Sequence, residues 1–132
     1  MATSPAFAST PRAWVAAVST ANTARDGTGT IADVATSIAA AGTRINRIVI
    51  QATGDPADST VPIFLHNGTS YFLYDEFDIG NPAAASTTVA GFRMEKAYYD
   101  LVLPSGWKLA ASVTVALTAG VINVFAHGAD LT

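Results

Sequence analysis

TRINRIVIQATG, Thr43–Gly54, is the stretch whose reading decides the fold. In an extended chain Ile48 and Ile50 fall on one face, and Ile45, Arg47, Val49 and Gln51 fall on the other, because successive strand side chains point opposite ways. β-Branched Ile and Val suit a pleated, packed surface. The run is therefore expected to be a β-strand with a deeply apolar centre, with the rest of the chain folding back onto it.

Working outward, the same alternation recurs. Ala13–Thr20 puts Trp14, Ala16 and Val18 on one side and Val15 and Ala17 on the other. Thr87–Tyr98 alternates Val89, Gly91, Arg93 and Glu95 against Ala90, Phe92 and Met94. The cleanest pattern runs from Trp107 through Leu109, Ala111, Val113 and Val115, opposed by Lys108, Ala110, Ser112 and Thr114. Val121–His127 gives Ile122, Val124 and Ala126 a common face. Thr30–Gly42 is ambiguous: Ile31, Val34, Ala35 and Ile38 sit at helical spacing, and its alanines favour helix. Its threonines and strand-rich surroundings favour a strand over Thr28–Ala35, followed by a loop to Gly42.

Turn signals separate these runs. Asp26-Gly27 and Gly29 mark one turn, Gly54–Ser59 another, Ile79–Ser86 a loop, and Pro104-Ser105-Gly106 a tight reversal. Asn67-Gly68 between Val61–His66 and Tyr71–Phe77 predicts a two-residue hairpin turn with positive φ at both positions. Pro62 places the first hairpin strand at an edge or at a strand beginning. Met1–Arg12 carries Pro5 and Pro11 among small residues, with Phe7 as its large aromatic side chain. Proline discourages helix and removes donors, so residues 1–12 are expected to be an extended arm. Phe7 and Pro11 are its candidate docking residues, and residues 13–132 are a single β-domain.

The fold class expected is all-β: an antiparallel β-sandwich of about eight strands, jelly-roll-like, with an extended N-terminal arm. The 132-residue chain fits one domain. Half its residues are hydrophobic and 13% are charged, which argues against disorder. A surface so poor in charge must be covered by Thr, Ser, Ala and Gly, which suits subunit contact.

The same composition narrows the function. A net charge of −3 with seven Lys and Arg gives no phosphate-binding footprint, so nucleic acid is not an expected partner. Without cysteine there is no disulfide framework, thiol nucleophile or zinc-thiolate site. No window approaches the roughly 20 apolar residues of a membrane span, so no membrane is expected either. MATSPAFASTPR lacks an early positive charge followed by an apolar run, so a Sec signal is not expected.

Chemistry-bearing residues are sparse. The Gly-rich loop GTG lacks a Walker lysine. Asp55 and Asp58 fall far short of a calcium loop and read as solvated turn residues. Asp75, Glu76 and Asp78 read as strand-end carboxylates on a solvent face, since a catalytic pair needs a pocket and polar companions. Asn67-Gly68-Thr69 is also a glycosylation sequon, but turn formation accounts for it. His66 and His127 lie in no triad, zincin or nucleophile-elbow pattern. No catalytic residue, cofactor or metal ligand is expected, and the chain is expected not to be an enzyme.

STANTARDGTGT (Ser19–Thr30), RINRIVIQATG (Arg44–Gly54), IFLHNGTSYFLYDE (Ile63–Glu76) and LPSGWKLAASV (Leu103–Val113) together resemble a recurrent small family of tailed-bacteriophage virion proteins. The resemblance covers most of the chain after Pro11, on motifs that determine fold rather than chemistry. It implies a capsid decoration or cement protein made in the host cytoplasm. Such a protein binds the major capsid protein or another virion protein as a homo-oligomer, with a trimer as the first expectation. A tail or tail-fibre component is the alternative with the same fold. A carbohydrate-binding module is the alternative of a different class, using Trp14, Tyr71, Tyr74, Tyr98, Tyr99 and Trp107 as stacking residues.

A screen of added esters, glycosides and phosphoesters is expected to show no turnover that depends on His66, His127 or Asp75. Activity lost in any of the three alanine variants would overturn the structural reading.

Overall fold

The computed structural model describes the backbone from Ala8 and the side chains from Thr10 through Thr132. Eight strands form: β1 (Ala8–Val18), β2 (Ala32–Thr36), β3 (Thr43–Ala52), β4 (Ser59–His66), β5 (Tyr71–Gly80), β6 (Arg93–Leu103), β7 (Lys108–Ala111) and β8 (Ile122–Leu131). They make two four-stranded sheets, ordered β1-β8-β3-β6 and β2-β7-β4-β5, with every pairing antiparallel. The result is the expected antiparallel sandwich. Its ladders are nested: β1 pairs with β8, β2 with β7, β3 with β6 and β4 with β5. Cross-pairs β3·β8 and β4·β7 then complete the two sheets.

The core lies between the sheets. Ile45, Ile48 and Ile50 of β3 meet Ile122, Val124 and Ala126 of β8 from one side, and Val61, Ile63, Leu109, Ala111 and Phe77 from the other. The expected face of β7 is observed, with Leu109, Ala111 and Val113 inside. Trp14, Ala16, Tyr98 and Trp107 pack at its margin.

β3 differs from its sequence reading in one respect. Ile45 pairs with Gly128 and Arg47 with His127, so Asn46 is an extra residue against β8. Such a bulge reverses the alternation, and Ile45 joins Ile48 in the core instead of facing away from it.

Strand boundaries also differ from those expected, most of all at four strands. β1 begins at Ala8, so residues 8–12 lie in the sheet and Pro11 stands opposite Ala129. β1 is an edge strand, where one side has no ladder to interrupt and a missing N–H is tolerated. β2 begins at Ala32 rather than Thr28, because Asn22 Nδ2 donates to the carbonyls of Thr28 and Thr30 at 3.0 and 2.9 Å. β6 begins at Arg93 and continues to Leu103, because residues 86–89 form a turn: Ser86 N donates to Val89 O, and Ser86 Oγ accepts from Thr88 N and Val89 N. β7 is short, ending at Ala111, while Val113 makes only an isolated bridge to Ala21.

The hairpin between β4 and β5 is present, but its loop has four residues, Asn67–Ser70, closed by the pair His66 and Tyr71. Asn67 keeps a negative φ and only Gly68 is left-handed, at φ +97°. The Asn67 side chain explains the difference: its Oδ1 accepts from Thr69 N and Ser70 N, both at 3.0 Å, and builds an Asx turn in place of the two-residue reversal.

Open space surrounds the position a Gly68 side chain would occupy, so backbone strain alone penalises a substitution there. Gly68→Val is expected to cost more than ~1 kcal/mol, since a β-branched residue resists positive φ. The urea midpoint measures it, and an unchanged midpoint would contradict the assignment.

Candidate interaction surface

The outer faces of the two sheets are treated differently by the chain itself. On the β2-β7-β4-β5 sheet, Pro62, Phe64, Ala110 and Ser112 alternate with core residues and so point outward, yet all four are buried. The segment between β1 and β2 crosses this face. Asn22 N donates to Val113 O at 2.8 Å, and Arg25 pairs with Glu76 on β5. Gly27 lies so close to the backbone of Tyr71 that a Cβ there would sit 2.4 Å from the Tyr71 carbonyl oxygen. At one end Tyr71 Oη donates to Asp33 at 2.8 Å, and Lys108 pairs with the same carboxylate at 3.2 Å. Hydrogen bonding to Asp33 holds the Tyr71 phenol above its ordinary pKa, with burial adding to the rise.

The outer face of the β1-β8-β3-β6 sheet carries a different surface. Register places Val15 beside Phe125, Phe125 beside Val49, and Val49 beside Glu95. The next row runs Ala13, His127, Arg47, Ala97. Val15 is 56% exposed, whereas Val49 is buried beneath its neighbours. Phe125 and His127 stack with ring centroids 6.3 Å apart. Glu95 sits between Arg93 (3.0 Å) and Arg47 (3.6 Å), all three exposed. Such pairs contribute little to stability at an open surface, but they frame a central strip of alanine, valine and phenylalanine.

A second feature closes one side of the sandwich, where edge strands β5 and β6 face each other. Asp75 accepts from Tyr98 Oη at 2.6 Å and Lys96 Nζ at 3.1 Å, and its Oδ1 also takes the Glu76 N–H. Lys96 continues over the Phe77 ring, 4.8 Å from its centroid. Partial burial pushes the Asp75 carboxyl up, but the bonds from Tyr98, Glu76 N and Lys96 outweigh it and leave the pKa below the ordinary 3.8. Tyr98 is raised strongly by burial and by the adjacent carboxylate. The sequence reading placed Asp75, Glu76 and Asp78 together on a solvent face. Asp78 is indeed exposed, whereas Asp75 and Glu76 are half-buried and partnered. The signal available beforehand was a charge inside an aromatic strand, but its partners lie more than twenty residues away.

A polar chain, exposed at Arg12 and buried from Thr43 to Ser37, runs from β1 through β8 and β3 to the residue after β2. Arg12 donates from Nε to Asp130 Oδ2 at 2.8 Å, Thr43 Oγ1 donates to Asp130 Oδ1 at 2.9 Å, and Ser37 Oγ donates to Thr43 at 3.0 Å. The Arg12 guanidinium holds the Asp130 carboxyl below its usual range, with Thr43 helping and burial opposing.

The remaining candidates are dispersed. Pro11 lies in β1, and Phe7 lies outside the described residues. His66 and His127 stand on different sheets. Of the proposed stacking aromatics, Tyr74 and Tyr99 are exposed, whereas Trp14, Tyr71, Tyr98 and Trp107 are half-buried. Among the described residues no three His, Asp or Glu side chains gather as a metal-binding group, and no helix is long and apolar enough to cross a membrane.

Because the folded Asp75 carboxyl titrates below its unfolded value, its contribution is full above that unfolded value and is lost as pH falls through the folded one. Tyr98→Phe is expected to cost about 1.5–3 kcal/mol at neutral pH, as for loss of a hydrogen bond to a charged group. The cost should shrink in acid, as read by urea denaturation at the two pH values. An equal cost at both would remove Asp75 as the partner that matters.

No protein-family model matches the chain, and no curated protein matches it. Among solved structures, the chain is similar to one from the acidic stable capsid of Helicobacter pylori bacteriophage KHP30, with a TM-score of 0.55 and 13% identity over 97% of this chain and 95% of that one. At that identity the similarity is one of fold, and it extends over both chains almost end to end.

Proposed function

We propose that this chain is a non-enzymatic structural protein of a bacteriophage virion, a decoration or cement protein bound to the head as a homo-oligomer. The observation that carries the reading is the end-to-end likeness to a phage capsid chain. A shared hairpin or single sheet would not cover nearly all of both proteins. The nested pairing of strands 1 with 8, 2 with 7, 3 with 6 and 4 with 5 supports the jelly-roll form of the sandwich, an architecture common in viral capsid domains.

Self-association is assigned to the β1-β8-β3-β6 face. Its Val15–Phe125 strip is low in charge at the centre and rimmed by Arg47, Arg93 and Glu95, the arrangement of an interface core with a polar rim. A trimer is the first expectation. The N-terminal arm, whose last residues continue into β1, supplies attachment to a neighbouring subunit or to the major capsid protein, with Phe7 as its anchor. Weak contacts repeated by symmetry then hold the oligomer through avidity. Synthesis in the host cytoplasm followed by incorporation into the virion completes the reading.

Val15→Glu is expected to shift the purified protein towards monomer in sedimentation, with the β-domain still folded. Deleting residues 1–7, which leaves β1 intact, should lower the number of copies retained on decoration-free heads. Loss of a fully desolvated Phe7 ring corresponds to ~1–3 kcal/mol per copy. Equal occupancy with and without residues 1–7 would refute the arm. Binding to tails but not heads would move the assignment to a tail component, and capture by glycans alone to a carbohydrate-binding module.

A further inference from the structure

The β4–β5 loop holds a combination of groups that the proposed function does not use. Asn67 is the only asparagine in the chain followed by glycine. Asn67, Gly68, Thr69 and Ser70 are all exposed. The backbone N–H of Gly68 donates to His66 Nδ1 at 3.2 Å. The side-chain carbonyl oxygen of Asn67 accepts from two backbone N–H groups, Thr69 and Ser70, each at 3.0 Å. Within the five residues from His66 to Ser70 there are therefore a nitrogen nucleophile, a base on its proton, and two donors on the neighbouring carbonyl.

The base is also held in place. His66 accepts through Nδ1 and so carries its proton on Nε2. Its ring lies 4.4 Å from that of Tyr71, which is fixed by the 2.8 Å bond to Asp33. Beyond its two chain neighbours, no atom lies within 4 Å of where a Gly68 side chain would sit, so no other residue packs against the glycine.

The geometry points to Asn67 as a self-deamidating site, converted to aspartate and isoaspartate by its own loop with His66 as the general base. His66 Nδ1 takes the Gly68 amide proton as the nitrogen bonds to Asn67 Cγ. Negative charge develops on Oδ1, where the Thr69 and Ser70 N–H groups already point. Collapse breaks the Cγ–Nδ2 bond, and the proton held by His66 leaves with ammonia, giving a five-membered succinimide. Water then opens either succinimide carbonyl. One opening gives aspartate at 67 and the other gives isoaspartate, which routes the main chain through the side-chain carbon. Each event exchanges ammonia for water, adds one negative charge and needs no other reactant. It happens once per molecule and acts on no added substrate. In a long-lived particle it gives the β4–β5 loop a slow chemical clock, because isoaspartate lengthens the backbone of a turn set by Asn67 itself.

The test incubates purified protein at neutral pH and physiological temperature. The one-unit mass gain is followed on the peptide containing Asn67, and isoaspartate is counted by enzymatic methylation. The folded protein is expected to convert faster than the same chain in denaturant, where the loop geometry is lost. His66→Gln, which keeps an acceptor but removes the base, should slow conversion roughly tenfold, below the 10²–10⁴ typical of an enzyme's positioned base. Its urea midpoint should stay unchanged, and Asn22, Asn46 and Asn123 serve as internal controls. Conversion no faster in the folded than in the denatured chain would overturn the proposal, as would an unchanged rate in His66→Gln.

Discussion

Packing of β3 and β8 against the opposite sheet is the constraint from which the rest follows. These two strands form the middle of the β1-β8-β3-β6 sheet, and each turns an isoleucine-rich or valine-rich row inward. Fully burying one such side chain is worth roughly 1.5–3 kcal/mol relative to leaving it in water. The row of Ile45, Ile48, Ile50, Ile122 and Val124, all at most 1% exposed, therefore sets which face of every neighbouring strand must also be apolar. A slip of one residue would exchange that row for Arg47, Gln51 and His127. The Asn46 bulge keeps Ile45 on the inside despite the odd spacing, so it belongs to the same constraint.

Much of this is legible in the sequence. Period-two alternation identified the inward faces of β1, β7 and β8 and the centre of β3, because burial on one face leaves a direct trace in sequence. What failed has a common cause. Alternation puts Ile45 on the wrong face because a bulge adds a residue without any local signal. Asn67 was given the conformation usual for Asn-Gly, but its side chain can instead cap its own loop, and local composition does not choose between the two. The start of β2 moved because Asn22, six to eight residues earlier, captures the carbonyls of Thr28 and Thr30. Asp75 was read as solvated because Lys96 and Tyr98 reach it only once the edges of two different sheets are brought together.

The asymmetry between the outer faces links fold to function. On one sheet the outward residues of β4 and β7 are covered, and the chain's own β1–β2 segment crosses that face, tied down by Arg25, Asn22 and the close approach of Gly27. The other retains an apolar strip framed by paired charges, and the strand at its edge, β1, continues directly from the N-terminal segment. Arg12 locks β1 to Asp130 and, through Thr43 and Ser37, to the core. Several ionisable groups, among them Arg12, Asp130, Asp75 and Lys96, hold strands together.

Imaging the intact virion at subunit resolution tests that account most directly. It predicts density for this eight-stranded sandwich at symmetry-repeated positions on the head shell, with the β1-β8-β3-β6 faces of neighbouring copies turned towards one another. Sandwich density confined to the tail, or particles containing none of this chain, would contradict it.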